Sequence, residues 1–201
     1  LILVLISIPR CILTSILSAD NSRIGLLFRG FISRNFNVFR QAYITYIRPL
    51  LEYASNVWSP HLLMHINSLE RVQRHFTKRI AELHDLSYQE RLAMLNLEIL
   101  DYRRLTSDLT LYYEIFHNLT PWDPSEVFTL SIPLYNLHSV SHSFNIRKPL
   151  CRIKIYENHV LNRCISAWNS LPSYVVESKS LTLFKRNLKI IDLSAFLKYV
   201  F

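Results

Sequence analysis

The sequence predicts a mainly α-helical protein, and two observations carry that prediction. Only 2 of the 201 residues are glycine, whereas all-β folds and phosphate-cradling loops depend on glycine at their tight turns. Apolar residues recur every three or four positions through most of residues 35–119, which is the spacing of one face of an α-helix. We therefore expect a helical bundle, an irregular linker and a small helical C-terminal part.

The first long helix is expected from about Asn35 to Trp58. Pro49 lacks an N–H and clashes with the turn before it, so we expect a kink near Ile47–Arg48. The apolar positions form one wide face: Phe36, Phe39, Ala42, Tyr43, Tyr46, Leu50, Tyr53, Ala54, Val57 and Trp58. A single partner helix does not cover so wide a face. We expect either self-association through it or burial beneath C-terminal helices that fold back.

A second helix is expected to begin at Ser59 and Pro60, with serine as the N-cap and proline in the first helical position. Its apolar residues share one side as far as Leu83: Leu62, Ile66, Leu69, Val72, Phe76, Ile80 and Leu83. The opposite side carries a basic stripe: Arg71, Arg74, His75 and Lys78, with Arg79 beside them. Such a stripe suits contact with one phosphate backbone, although a solvated helix surface has the same composition.

Two more helices follow. Ser87 and Glu90 form a capping box that opens a short helix through Leu95. A longer helix is expected from about Asp101 to Leu119. Its inward positions are Leu105, Leu109, Tyr112, Phe116 and Leu119.

The character of the chain changes after residue 119. Pro121, Pro124 and Pro133 predict an irregular linker over 120–150, with room for a short strand. Residues 151–201 are expected to be helical again, with a last helix facing inward through Leu181, Phe184, Leu188 and Ile191. We expect Trp168 to be buried beside Leu171 and Phe184.

The charge balance leaves two interpretations open. The 23 Lys and Arg residues outnumber the 15 Asp and Glu, which gives a net charge of +8. A chain this basic either binds a polyanion, releasing counterions from neutralised phosphates, or is a well-solvated basic protein. Three scattered cysteines, Cys11, Cys151 and Cys164, are too few for a disulfide framework. They favour a reducing, intracellular location, nuclear or cytoplasmic, over secretion.

The opening run over residues 1–23 is expected to stand apart from the rest. It is strongly apolar, but Pro9 and Arg10 interrupt it after eight residues. A bilayer span needs about 20 consecutive apolar residues, so we expect no membrane role.

Catalytic residues are not visible. Two-metal phosphoryl transfer uses closely placed carboxylates, but no two acidic residues are adjacent in this chain. Asp101 and Asp108 share a helix face, where Arg103 and Arg104 make a solvated or salt-bridged role the expected one. A nucleophile elbow would need glycines that the sequence lacks.

Three segments carry the most specific motifs. They are Tyr46–Arg79 with YIRPLLEYASNVWSP, Leu86–Leu109 with LSYQERL and YRRL, and Trp168–Lys185 with WNSLP at its start. In this order, from about Ile24 to Leu188, they resemble the region beyond the palm of jockey-like non-long-terminal-repeat retrotransposon reverse transcriptases.

The resemblance implies a thumb-like helical region over 24–119, which grips template–primer duplex, and a C-terminal helical part over 151–201. The palm aspartates of that family have no counterpart here. We expect a catalytically silent, non-enzymatic fragment that packs against the missing palm. Arg71, Arg74, Lys78 and Arg79 are its expected contacts to an RNA or RNA–DNA duplex backbone. The alternative is a decayed or domesticated helical interaction module with no nucleic-acid role.

Some polymerases of this kind end in a Cys-x3-Cys-x7-His-x4-Cys zinc knuckle, and Cys151, His159 and Cys164 match its last three ligands. The position of the first cysteine is Arg147, which cannot bind zinc, and only His142 lies nearby as a substitute. We therefore expect no metal and no cofactor, but two small buried thiols and a packed histidine, at most the relic of a knuckle.

Overall fold

The computed structural model describes residues 22–32, 35–131 and 142–199. The fold is mainly α, with 61% of the described residues helical, which confirms the predicted class. Helix α1 covers residues 22–30. The next helices are α2 (Phe36–Ala42), α3 (Arg48–Glu52), α4 (Leu63–Lys78), α5 (Tyr88–Leu95) and α6 (Leu100–Phe116). Those after residue 120 are α7 (Pro124–Val127), α8 (Lys154–Glu157), α9 (Val160–Arg163), α10 (Ile165–Asn169), α11 (Ser173–Val176) and α12 (Leu181–Leu188).

The chain divides into two compact units. The described residues of 22–104, with 198–199, form the N-terminal unit, and those of 105–197 form the C-terminal unit. The division falls inside α6. The boundaries that we place at 23, 119 and 150 stay predictions.

The helix predicted over Asn35–Trp58 is shorter and interrupted. Asn35 caps α2 by accepting a hydrogen bond from the backbone N–H of Asn37 at 2.8 Å. A π-helical turn then covers Tyr43–Ile47, and the Arg48 N–H bonds five residues back to the Tyr43 carbonyl. The distortion therefore lies directly before Pro49, where the missing N–H predicts it.

The expected helical continuation through Tyr53–Trp58 is wrong. Helix α3 ends at Glu52, and Ala54 adopts a left-handed backbone with φ 50°, which a right-handed helix cannot contain. The Val57 and Trp58 N–H groups instead close a turn onto the Ala54 carbonyl. As a result the wide apolar face is split: Phe39 and Tyr43 are buried, whereas Tyr53 and Val57 are exposed.

Ala54→Gly should raise the free energy of unfolding by about 0.5–1 kcal/mol, because glycine adopts positive φ without a Cβ clash. Ala54 is exposed, so the change removes no packing. Ala93→Gly is the control, since Ala93 is also exposed but lies inside α5, where glycine costs about 1 kcal/mol. Urea denaturation should move the two midpoints in opposite directions. A loss of stability in both variants would contradict the strain at Ala54.

The predicted start of the second long helix at Ser59 and Pro60 is also wrong. Helix α4 begins at Leu63, and its N-cap, Leu62, has no side-chain capping bond. Trp58 is buried, with the Arg104 guanidinium 5.8 Å from its ring centroid. Burial of Trp58 holds the following residues outside the helix, so tertiary packing overrides the local start signal. Helix α4 ends at Lys78, and a 3₁₀ turn follows at Ala81–Leu83.

The capping box at the start of α5 is confirmed. The Glu90 N–H donates to the Ser87 hydroxyl at 3.3 Å, and the Glu90 carboxylate accepts from the Ser87 N–H at 2.7 Å. Helix α6 also forms where the periodicity predicts it, with Leu105 and Tyr112 among its buried residues. Leu119 is the exception, since it is 59% exposed. Asn118, with φ 54°, ends the helix before it.

The C-terminal unit packs around Trp168, which is fully buried together with Leu171 and Phe184, as predicted. The segment predicted as a linker supplies α7 and an isolated antiparallel bridge between Leu130 and Ile146. Pro133 lies outside the described residues. Helix α12 buries Phe184 and Leu188, but it ends before Ile191.

Helices in the described part of the chain are too short or too polar to cross a bilayer. The apolar run that contains Pro9 and Arg10, and with it Cys11, lies outside the described residues.

Candidate nucleic-acid interface

Helix α4 has one buried and one basic side. Ile66, Leu69, Val72 and Phe76 are all buried, and their spacing of three or four residues places them on one face. The residues on the other side, Arg71, Arg74, His75 and Lys78, are exposed, as is Arg79 directly after the helix. The buried face therefore turns the basic residues toward solvent, as the sequence predicts.

A buried polar network fixes the rotation of α4. Tyr43 donates from its hydroxyl to the Gln73 side-chain oxygen at 2.6 Å, and Gln73 donates to the Tyr88 hydroxyl at 3.0 Å. Glu70 accepts from the Leu100 N–H at 2.9 Å and from the Tyr88 hydroxyl. Burial raises the pKa of Glu70 and that of Tyr43. Because unpaired buried polar groups are costly, these bonds allow α4 little rotation.

The basic side chains surround one open concavity, which we call the α4 basic face. Its lining residues are Arg71, Arg74, His75, Lys78 and Arg79. No carboxylate in the described part of the chain lies within ion-pair distance of any of them. The positive charge is therefore not neutralised internally by described residues, and it is available to an anion.

Aromatic rings hold two of these arginines in place. The guanidinium carbon of Arg74 lies 4.9 Å from the ring centroid of Tyr88 and 6.0 Å from that of Tyr199. Arg74 also donates a hydrogen bond to the Tyr199 hydroxyl. Arg79 lies over the ring of Phe28 at 4.6 Å. Cation–π contacts restrict the guanidinium groups before any ligand binds and leave other N–H groups free to donate.

Tyr199 reaches Arg74 because Asp101 anchors the end of the described chain. One carboxylate oxygen of Asp101 accepts from the backbone N–H of Lys198 at 2.7 Å and from that of Tyr199 at 2.9 Å. Burial raises the pKa of Tyr199, so its hydroxyl stays protonated at neutral pH. Sequence reasoning missed both tyrosines, since no local pattern links Tyr199 to a helix 125 residues earlier.

The arrangement suits phosphate chemistry. Arginine presents planar N–H groups that match the oxygens of a phosphodiester, and lysine adds a mobile point charge. Several such side chains along one helix side can contact successive phosphates of one strand without reading base identity.

The cysteine and histidine residues of the knuckle-like motif have separate surroundings, and of the two thiols expected to be buried, Cys151 is only half-buried. Cys164 is buried, with its sulfur 3.4 Å from an Asp108 carboxylate oxygen. Burial, and then the negative charge of Asp108, hold the pKa of that thiol well above its usual range. His159 caps α9 by accepting from the Leu161 N–H at 3.3 Å. Within the described ranges, no three His, Cys, Asp or Glu side chains are grouped to hold a metal ion.

The two aspartates of α6 have structural partners. Asp108 forms a two-pronged ion pair with Arg163, at 2.7 and 2.8 Å. The expected salt-bridged role is therefore confirmed for Asp108, although Arg103 and Arg104 are not its partners, whereas Asp101 accepts from backbone N–H groups instead. Arg103 pairs instead with Glu52.

Comparison with known proteins adds little to this geometry. No protein-family model matches the chain, and no solved structure matches it. The chain is 28% identical over 92 residues to an uncharacterized protein of Caenorhabditis elegans, and the match covers 44% of this chain and 46% of that protein. The chain thus spans less than half the length of the relative that it matches.

Proposed function

We propose that this chain is a catalytically silent thumb and C-terminal region of a jockey-like retrotransposon reverse transcriptase, and that its α4 basic face binds the phosphate backbone of an RNA or RNA–DNA duplex. One observation carries the proposal. Four exposed arginine and lysine residues, together with His75, line one concavity on and directly after α4, with no described carboxylate paired to them. The resemblance of the motifs from Tyr46 to Lys185 supports the proposed family. The proposal includes an intracellular location.

The face fits a backbone better than a base-specific site. Arg71, Arg74 and Lys78 are three or four residues apart on α4, so they follow one line along the helix. Arg74 is held between two tyrosine rings, whereas contacts to base edges in a groove require side chains that project freely. We therefore expect affinity with little sequence preference and a strong dependence on salt.

Replacing Arg71, Arg74 and Lys78 together by alanine should weaken binding to an RNA–DNA duplex. It should also flatten the slope of log affinity against log salt by up to about three units, because each lost phosphate contact removes about 0.9 released counterion. Fluorescence anisotropy of a labelled duplex across a salt series measures both quantities.

The matched control replaces Lys185, Arg186 and Lys189, which are exposed basic residues on and beside α12. This variant loses the same net charge but leaves the α4 basic face intact, so its salt slope should stay near that of the unmodified chain. Equal slopes in all three proteins would show that the α4 basic face does not touch phosphate.

The alternative function is a helical interaction module without a nucleic-acid role. Exposed apolar side chains near the start of α4 favour it: Tyr53, Val57, Leu62, Leu63 and Met64. Patches of this kind mark protein contacts. Two results together would support this alternative: no duplex binding at low salt, and concentration-dependent self-association in sedimentation.

A further inference from the structure

The C-terminal unit presents a second basic surface, which we call the 147–156 segment. Arg147, Lys148, Arg152 and Lys154 are all exposed. No carboxylate in the described ranges pairs with any of these four residues. Four cations within eight residues, none with a described carboxylate partner, make this a concentrated positive site.

Large apolar side chains stand among these cations. Leu150 is 92% exposed and Ile153 is 64% exposed, and Ile155 and Tyr156 are each 44% exposed. Exposing several such side chains within so short a stretch is unfavourable in water, so they mark a contact surface. A basic segment that is merely solvated has no need of these exposed apolar side chains.

The backbone on both sides of this surface is held in place. Ile146 exchanges two hydrogen bonds with the Asn169 side chain, at 2.9 and 2.8 Å. The Arg147 N–H donates to the Thr129 carbonyl at 2.8 Å, and the Tyr156 carbonyl accepts from the Asn162 side chain at 2.8 Å. The exposed side chains therefore lie on a stretch of backbone that is anchored at both ends, which lowers the entropy cost of binding.

We propose that the 147–156 segment binds single-stranded nucleic acid, RNA or DNA. The four cations contact phosphates, while Leu150, Ile153 and Tyr156 contact the faces of unpaired bases. Single strands expose those faces, whereas a duplex stacks them inside. This surface lies on a different unit from the α4 basic face, so the proposal does not rest on the proposed function.

An anionic bilayer fits the same composition less well. Membrane-surface elements separate a basic side from an apolar side. Residues 147–151 are not helical, and cationic and apolar residues alternate irregularly along the segment. Basic and apolar residues are therefore mixed along this non-helical stretch, as at Lys148, Leu150 and Arg152. A flexible single strand can meet both kinds at once.

Replacing Lys148, Arg152 and Lys154 by alanine tests the proposal in the full chain. Binding to labelled oligo(U) should weaken at least about tenfold, and the salt slope should fall by about two units, since each single-strand phosphate contact contributes about 0.7. Affinity for an RNA–DNA duplex should change less. Tyr156→Ala removes no charge and should also weaken oligo(U) binding about tenfold, because one base loses its stacking partner.

Two comparisons make the proposal refutable. The variant in Lys185, Arg186 and Lys189 controls for net charge, and an equal loss of oligo(U) binding there would overturn the proposal. Unchanged oligo(U) affinity in the segment variant would also overturn it, as would loss of binding only to phosphatidylserine-containing vesicles. The α4 variant keeps the whole segment, so failure of the duplex proposal and failure of this one are separable.

Discussion

Asp108→Ala is expected to lower the free energy of unfolding of the C-terminal unit by about 3–5 kcal/mol, because it leaves the Arg163 guanidinium buried without its partner. Asp108 is 2% exposed, and both of its carboxylate oxygens accept from Arg163. Burial alone would lower the pKa of Arg163, but the charge of Asp108 and the hydrogen bonds to it outweigh that cost and raise it. A guanidinium is not deprotonated in proteins, so Arg163 keeps its charge in the variant although Asp108 no longer offsets its burial.

Glu114→Ala is the matched control, since Glu114 lies on the same helix, is only half-buried and has no described ion pair. Its replacement should cost no more than about 0.5 kcal/mol. A double variant, Asp108→Leu with Arg163→Met, should recover most of the loss, because a well-packed apolar pair avoids desolvating two charges. Urea denaturation followed by circular dichroism measures all three. A single-variant loss no larger than that of Glu114→Ala would show that the pair is solvated.

Local signals in the sequence were sufficient for much of the fold. The capping box at Ser87 and Glu90 acts within one turn, so it forms wherever the chain is free to start a helix. The outward position of the α4 basic face follows from a 3.6-residue period that runs through 16 helical residues. The distortion before Pro49 depends only on a missing N–H.

Predictions failed where distant contacts decide the outcome. Ser59 and Pro60 form a sound local start signal, but burial of Trp58 delays the helix to Leu63. Ala54 ends α3 in a left-handed conformation that alanine disfavours by itself. The apolar face predicted as far as Trp58 is therefore shorter, because α3 ends at Glu52. Self-association through this face stays a prediction.

The candidate sites show the same limit. Arg71, Arg74 and Lys78 were identifiable because they share a helix face, but the role of Tyr199 was not, since its contact with Arg74 spans 125 residues. The 147–156 segment was passed over for a related reason. In the sequence it was weighed only through Cys151, as part of a zinc motif that was expected to hold no metal, whereas the exposure of its side chains, which is a property of the folded unit, indicates an interaction surface.

The C-terminal unit supports such a surface only if its core is rigid, and Trp168 is central to that core. Its ring lies 5.4 Å from that of Phe116 and 5.6 Å from that of Tyr112, centroid to centroid. Its indole N–H donates to the Phe144 carbonyl at 2.9 Å. The His142 ring bonds to the Trp168 carbonyl at 3.0 Å. One residue thus joins α6, α10 and residues 142–144.

Trp168→Ala should cost about 3–5 kcal/mol, since it removes a fully buried aromatic side chain and leaves a cavity in its place. Trp168→Phe should cost less, about 1–3 kcal/mol, because it keeps most of the packing and leaves only the Phe144 carbonyl unpaired. Trp122, which is 39% exposed in the same unit, supplies the control. Trp122→Ala should cost no more than about 1 kcal/mol, because its side chain already meets water. Hydrogen–deuterium exchange should show faster exchange in peptides of α10 and α12 for Trp168→Ala alone. Unchanged protection there would mean that the unit does not depend on Trp168, and that the 147–156 segment is held in place by other contacts.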